Sequence, residues 1–219
     1  MKRVSGSDYR PALRFNRLTP VYDLVVGATT RERSFKRALI RQAGIEPGHH
    51  VLDVGSGTGT LAIWVKQAEP SASVTGVDAD PAILALARSK ARKADVAVHF
   101  DEAFSCSLPY PSLHFDRALS SLFFHHLTTA NKQRTVEELF RVLRPGAELH
   151  VADWGVPSNP LMRTLFFSVQ LLDGFTNTQD NVSGKLIEMF SQAGVSEVVQ
   201  REAFNTIYGT LALYSAVKA

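Results

Sequence analysis

Three glycines, Gly55, Gly57 and Gly59, alternate with Ser56 and Thr58 directly after the run Val51-Leu52-Asp53-Val54. Glycine accepts the positive φ of a tight turn, and its missing side chain lets a ligand lie against the backbone. The preceding run has the length and β-branched content of a buried strand, and Leu61 to Lys66 beyond it reads as a helix. Strand, glycine turn and helix together open a nucleotide-binding α/β unit. The spacing narrows the ligand. A dinucleotide fingerprint places its third small residue where this chain has Thr60, and a P-loop needs a G-K-[ST] that is absent. Asp53, inside the strand end, would repel a pyrophosphate and suits a ligand carrying an ammonium or sulfonium charge. Asp78 closes a second short strand, Val74 to Asp78, about 20 residues past the glycines, the offset at which a carboxylate meets a ribose diol. Asp80 fits better than Asp78 as the cap of the helix that opens at Pro81.

Two histidine pairs come next. His125 and His126 follow a fourth strand, Phe115 to Ser121, whose carboxyl end faces the crevice where open α/β sheets bind ligands. Neutral imidazole can take a proton near pH 7, so either residue could serve as a base; the competing reading is a histidine that only caps or packs. A metal pair on a helix wants i,i+4 spacing, and both His125-His126 and His49-His50 are immediate neighbours. No metal is therefore expected.

The elements that must position these groups read as follows. Ser34 to Gly44 has helical periodicity. Pro81 to Lys93 and Thr129 to Leu143 are amphipathic helices, the latter ended by Arg144-Pro145-Gly146. Val96 to Phe100 alternates as a third strand and Glu148 to Trp154 reads as a fifth, with Asp153 and Trp154 emerging at its carboxyl end. Leu161 to Leu172 is a strongly apolar helix. Gly184 to Gly194 is a helix, and Val198 to Phe204 with Leu211 to Val217 form an antiparallel hairpin.

The pieces VLDVGSGTG (51–59), VTGVDAD (74–80), LPYPSLHFDRALSSLFFHHL (108–127) and RVLRPGAELHVADW (141–154) resemble, in order, the motifs of class I S-adenosylmethionine-dependent methyltransferases. The chain is most similar to the branch containing the ubiquinone/menaquinone biosynthesis C-methyltransferases, over roughly residues 20 to 155. The resemblance implies a Rossmann-like α/β fold with a seven-stranded, mostly parallel sheet, a C-terminal antiparallel hairpin and helices on both faces. It implies S-adenosylmethionine as cofactor, held by Asp53, Gly55, Ser56, Gly57, Thr58, Gly59, Asp78 and Ala79. It places Phe104 and Ser105 near the adenine, lets Ser121 touch the cofactor, and sets His125 and His126 beside the methyl-transfer pocket. Pro20-Val21-Tyr22-Asp23 resembles a family segment that folds over the cofactor, so Tyr22 could close the site. Ser56 departs from a common cysteine. Residues 1–44 would form a helical cap on one domain whose core is 45–219, with a substrate lid inserted at 155–182.

Composition sets outer bounds. At 219 residues with 45% hydrophobic and 21% charged residues, the chain has the profile of one globular domain. No apolar run reaches the roughly 18 residues of a membrane span, and a single cysteine, Cys106, excludes an intrachain disulfide; a cytoplasmic setting is expected. Residues 1–41 hold ten of the basic residues and three of the acidic ones, a local charge of +7 against +3 for the whole chain. That stretch is either a solvated face or a cap for an anionic membrane surface. It lacks the interleaved aromatics and reader motifs of nucleic-acid binding. The expected partner is a small acceptor, hydrophobic or amphipathic in keeping with 161–172, a segment that could equally be a lid, core or homodimer face. A polar metabolite is the alternative acceptor. An NAD(P)-dependent oxidoreductase and a non-catalytic cofactor-binding protein are the readings from other classes.

Overall fold

The computed structural model describes residues 31–219. Tyr22, most of the 1–44 cap and most of the basic N-terminal stretch lie outside the described residues. Seven strands run β1 His50–Val54, β2 Ser73–Asp78, β3 His99–Glu102, β4 Phe115–Ser121, β5 Leu143–Trp154, β6 Val195–Thr206 and β7 Gly209–Lys218. They form one sheet in the order β3-β2-β1-β4-β5-β7-β6. The first five are parallel, and β7 lies antiparallel between β5 and β6. Strand order reverses between β1 and β4, and the crevice at such a switch point is where this architecture takes ligands.

Helices cover both faces. Helices α1 Glu32–Ala43, α2 Thr60–Ala68 and α3 Pro81–Lys93 bury Phe35, Leu39, Leu61, Val65 and Leu84 in one apolar cluster. Helices α4 Thr129–Val142 and α7 Lys185–Gln192 bury Val136, Leu139, Phe140, Leu186 and Phe190 in a second. Two more helices, α5 Pro160–Asp173 and α6 Phe175–Val182, follow β5. Local chemistry marks the boundaries. The Asp80 carboxylate accepts from the N–H groups of Ala82 (2.8 Å) and Ile83 (3.4 Å) ahead of Pro81, and Gly44 ends α1 in the left-handed region at φ 51°.

Three expectations are corrected. The third strand is His99–Glu102 rather than 96–100, because register with β2 (Gly76 opposite Phe100, Asp78 opposite Glu102) decides an edge strand's limits more than alternation does. Helix α4 stops at Val142, and Arg144-Pro145-Gly146 lies inside β5 as an irregularity: Leu143 pairs with Phe115, and the ladder resumes at Glu148 opposite Arg117. The apolar 161–172 segment is followed by a second helix, α6, which the sequence reading did not separate. Among the described residues, no helix is long and apolar enough to cross a membrane.

Candidate active site

The crevice is built from the carboxyl ends of β1, β2, β4 and β5. On the β1 side the glycine turn is pinned to β2: the N–H groups of Gly55 and Ser56 both donate to the Val77 carbonyl, at 2.9 and 3.0 Å. All three glycines have positive φ, 68°, 52° and 75°. They do different work. An ideal Cβ on Gly55 would sit 2.2 Å from the Phe123 ring, and one on Gly59 would meet Phe100 at 2.7 Å. A Cβ on Gly57 would meet nothing within 4 Å, so Gly57 leaves a gap along the turn. Ser56, next to that gap, has a buried hydroxyl with no hydrogen-bond partner.

Asp78 organises the turn's outer edge. One carboxylate oxygen accepts the Gly57 N–H and the other the Asp80 N–H, each at 3.0 Å. Burial raises its pKa. Ala79 follows it at the mouth. Asp53 is deeply buried and accepts the Ala62 N–H of the first turn of α2 at 3.1 Å. Burial, against the opposing charge of Lys36, raises its pKa to about 7. The Thr58 hydroxyl lies 3.3 Å from Lys90 Nζ, and Ser105 pairs with Thr135 at 2.8 Å. Phe104 is 40% exposed beyond β3. Ser121 ends β4 opposite Ala152.

Across the crevice stands a cluster that sequence reasoning only partly anticipated. After β4, Leu122 takes the left-handed φ of 53°, uncommon for a residue with a side chain, and the chain enters a one-turn 3₁₀ helix, Phe124–His126. That turn brings the two imidazoles together, with ring centroids 4.0 Å apart. His125 Nδ1 donates to Asp153 Oδ1 at 2.7 Å. Asp153, fully buried, also accepts the N–H groups of Phe123, His125 and Trp154 and the Asn181 amide. Asn177 donates to the His126 carbonyl at 3.1 Å, so α6 clamps the turn from outside. Asp173, the last residue of α5, brings its carboxylate 3.6 Å from His125 Nε2 and 3.8 Å from His126 Nδ1.

The electrostatics follow from this packing. Burial pulls the His125 pKa down, but the Asp153 carboxylate outweighs it and the net shift is upward. Burial and then the neighbouring His125 push His126 down to about 3. Burial alone would raise Asp153; His125 and the donors facing it lower it overall. Asp173 is raised by burial. Asp173 and Asn181 carried no local signal in the sequence; only the packing of α5 and α6 places them here.

The chain is similar in sequence to known methyltransferases and in fold to solved structures. A methyltransferase-domain model matches residues 51–146. The demethylmenaquinone methyltransferase of Deinococcus radiodurans is 32% identical over 154 residues, spanning 69% of this chain and 63% of its own length, so the chain covers less than two thirds of that relative. The ubiquinone/menaquinone biosynthesis C-methyltransferase UbiE of Ectopseudomonas mendocina is 31% identical over 175 residues, 76% of this chain and 68% of the relative. The solved structure of the YcgJ protein of Bacillus subtilis superposes with a TM-score of 0.68 at 20% identity, covering 84% of this chain and 97% of that one, which shows a common fold. The chain belongs to the S-adenosylmethionine-dependent methyltransferases, in the group that includes the ubiquinone/menaquinone biosynthesis C-methyltransferases.

Proposed function

We propose that the protein transfers a methyl group from S-adenosylmethionine to a small hydrophobic or amphipathic acceptor of quinol, lipid or phenolic type. The observation that carries this reading is the pairing, across one crevice, of a glycine cradle edged by Asp78 with a buried histidine–carboxylate cluster. The residues present suit the cofactor. Gly57 leaves open space, the Ser56 hydroxyl is buried without a partner, and Asp53 is a buried carboxyl able to receive an ammonium charge. When bound, S-adenosylmethionine supplies a methyl group already activated by its sulfonium. Gly55, Ser56, Gly57 and Gly59 would hold it by close backbone approach, Asp53 would face its ammonium, and Asp78 with Ala79 its ribose. Ser121 would touch it from β4 and Phe104 would cover the adenine. Thr58 and Ser105 have their hydroxyls engaged elsewhere and would contribute backbone.

His125 and His126 would line the acceptor side. His125 commits Nδ1 to Asp153, which leaves Nε2 facing Asp173. Helices α5 and α6 would form the acceptor lid. Leu161, Phe167, Leu171, Leu172 and Phe175 are all exposed on them, an apolar surface suited to a hydrophobic acceptor. Quinone-biosynthesis relatives point the same way. In this reading the protein works in the cytoplasm, and the apolar surface with the basic N-terminal stretch would let it visit an anionic bilayer to collect its acceptor.

Methyl transfer from radiolabelled S-adenosylmethionine into a fractionated cell extract tests the proposal. Label in the organic phase is expected. Label confined to the aqueous phase would replace the acceptor class with a polar metabolite. No label in either phase, with S-adenosylhomocysteine still bound, would make the chain a cofactor-binding protein without this activity.

A further inference from the structure

We propose that His125, His126 and Asp173 form a mononuclear site for a divalent first-row transition metal on the acceptor side of the crevice. Among the described residues this is the group of histidine, cysteine or carboxylate side chains whose ligand atoms converge, all within 4.8 Å of one another. Neighbouring histidines diverge on an α-helix, which is why the sequence argued against a metal. The 3₁₀ turn after the strained Leu122 removes that objection.

The spacing is that of a site awaiting an ion. Asp173 offers one oxygen to each ring, at 3.6 and 3.8 Å. Both gaps are too long for a hydrogen bond. Ligands about 2.0–2.2 Å from a shared ion stand roughly 3 to 3.5 Å from each other, so the Asp173 gaps need to close by a few tenths of an ångström and the widest spacing, up to 4.8 Å, by a rotation of the partly exposed His126 and Asp173 side chains. The surrounding shell is also that of a metal centre. Asp153 accepts only, so His125 Nδ1 carries the proton, and a metal that displaces any proton from Nε2 would meet a lone pair directed at the gap. Asp153 is itself held by five donated hydrogen bonds, from Phe123, His125 twice, Trp154 and Asn181. The His126 and Asp173 side chains are 20% and 25% exposed, which gives an entry path and an open coordination position. Two imidazoles and one carboxylate with an open position suit Zn²⁺, Fe²⁺ or Co²⁺ and are too nitrogen-rich for Mg²⁺ or Ca²⁺. The role of the ion rests on the methyl-transfer reading: an acceptor hydroxyl would bind at the open position as its oxyanion, releasing its proton to solvent.

The test uses the full chain, stripped with a chelator and titrated with Zn²⁺ by calorimetry, with Co²⁺ absorption as a second readout of coordination. One equivalent should bind. His126→Ala and Asp173→Asn should each weaken zinc binding by about 100-fold, and Asp153→Asn, which loosens the turn that Asp153 holds as well as the orientation of His125, by about 10- to 100-fold. Far-UV circular dichroism checks that each variant is folded; the first two change partly exposed side chains, so the proposal does not depend on the buried Asp153. Less than one equivalent bound, or zinc binding unchanged in folded His126→Ala and Asp173→Asn, would overturn the site and leave a protonated His125 held between two carboxylates. A parallel titration with S-adenosylhomocysteine separates the two ideas. Cofactor binding without zinc binding removes the metal alone, and zinc binding without cofactor binding removes the methyl-transfer reading alone.

Discussion

Asp53 offers the sharpest test of how the crevice receives its cofactor. The side chain is 2% exposed, and its pKa stands at about 7, raised by burial and opposed by Lys36 and the Ala62 N–H. A carboxyl with that pKa is ionised to about 1% at pH 5 and about 90% at pH 8. If the ligand ammonium binds only the carboxylate, affinity should fall about 90-fold from pH 8 to pH 5, or about 2.7 kcal/mol. Calorimetric titration of S-adenosylhomocysteine at the two pH values measures it. Asp53→Asn keeps an acceptor for Ala62 N–H and removes the charge, so its affinity should be low and its pH dependence nearly flat; any residual slope belongs to Asp78. The same shift has a stability signature of defined sign. Between about pH 4 and pH 7 the folded chain holds a proton that the unfolded chain has lost, so the cofactor-free protein should lose stability as pH rises through that window, by at most roughly 4 kcal/mol. Urea midpoints should show this in the wild type and not in Asp53→Asn. Parallel pH slopes of binding in the two proteins would refute the assignment of Asp53 to the ammonium.

Three further outcomes are expected. Asp78→Ala removes the acceptor for Gly57 and Asp80 N–H as well as a ribose partner, and should weaken S-adenosylhomocysteine binding by about 1.5–3 kcal/mol in calorimetry; unchanged affinity in a folded variant would sink the ribose assignment. Gly57→Ala meets no atom within 4 Å, so its fold should lose only about 1–2 kcal/mol from the left-handed backbone while cofactor binding drops, whereas Gly55→Ala drives a methyl into Phe123 and should lower the melting temperature further. Lys132→Ala strips a fully buried cation from Asp180 and from the Asn177 carbonyl that anchor α6 to α4, and should cost about 3–5 kcal/mol in chemical denaturation.

Much of the cofactor half was legible because its signals are local. The glycine turn, the cap at Asp80 and the terminal hairpin each depend on residues adjacent in sequence, and each formed where the pattern put it. The edge strand β3 was misplaced because Val96 and Val98 alternate convincingly yet only pack against the core, while pairing with β2 reaches out to Asp101 and Glu102. The acceptor half was illegible for a different reason. Asp153 was visible at a strand end, but its partners come from Phe123, His125, Trp154 and Asn181, and Asp173 reaches the histidines only through the packing of α5 and α6. Neighbouring histidines diverge on an α-helix, and the 3₁₀ turn that brings these two together depends on a left-handed Leu122 that no propensity signals.

The two buried aspartates at this end of the sheet show how one scaffold prepares two kinds of partner. Asp53 receives a single N–H from α2, and burial outweighs both that bond and the charge of Lys36, so its charge is held back. Asp153 is as deeply buried, yet the His125 ring and four further donated hydrogen bonds outweigh the same penalty, and its pKa moves the other way. The difference lies in what each carboxylate already has. Asp153 has its cationic partner supplied by the chain and is committed to orienting it. Asp53 has none of comparable strength, so a cation brought by a ligand gains what the fold withholds. In the proposed function that asymmetry favours the β1 side for the cofactor's ammonium and the β4–β5 side for the acceptor, and the pH dependence of cofactor binding in the wild type and Asp53→Asn tests it.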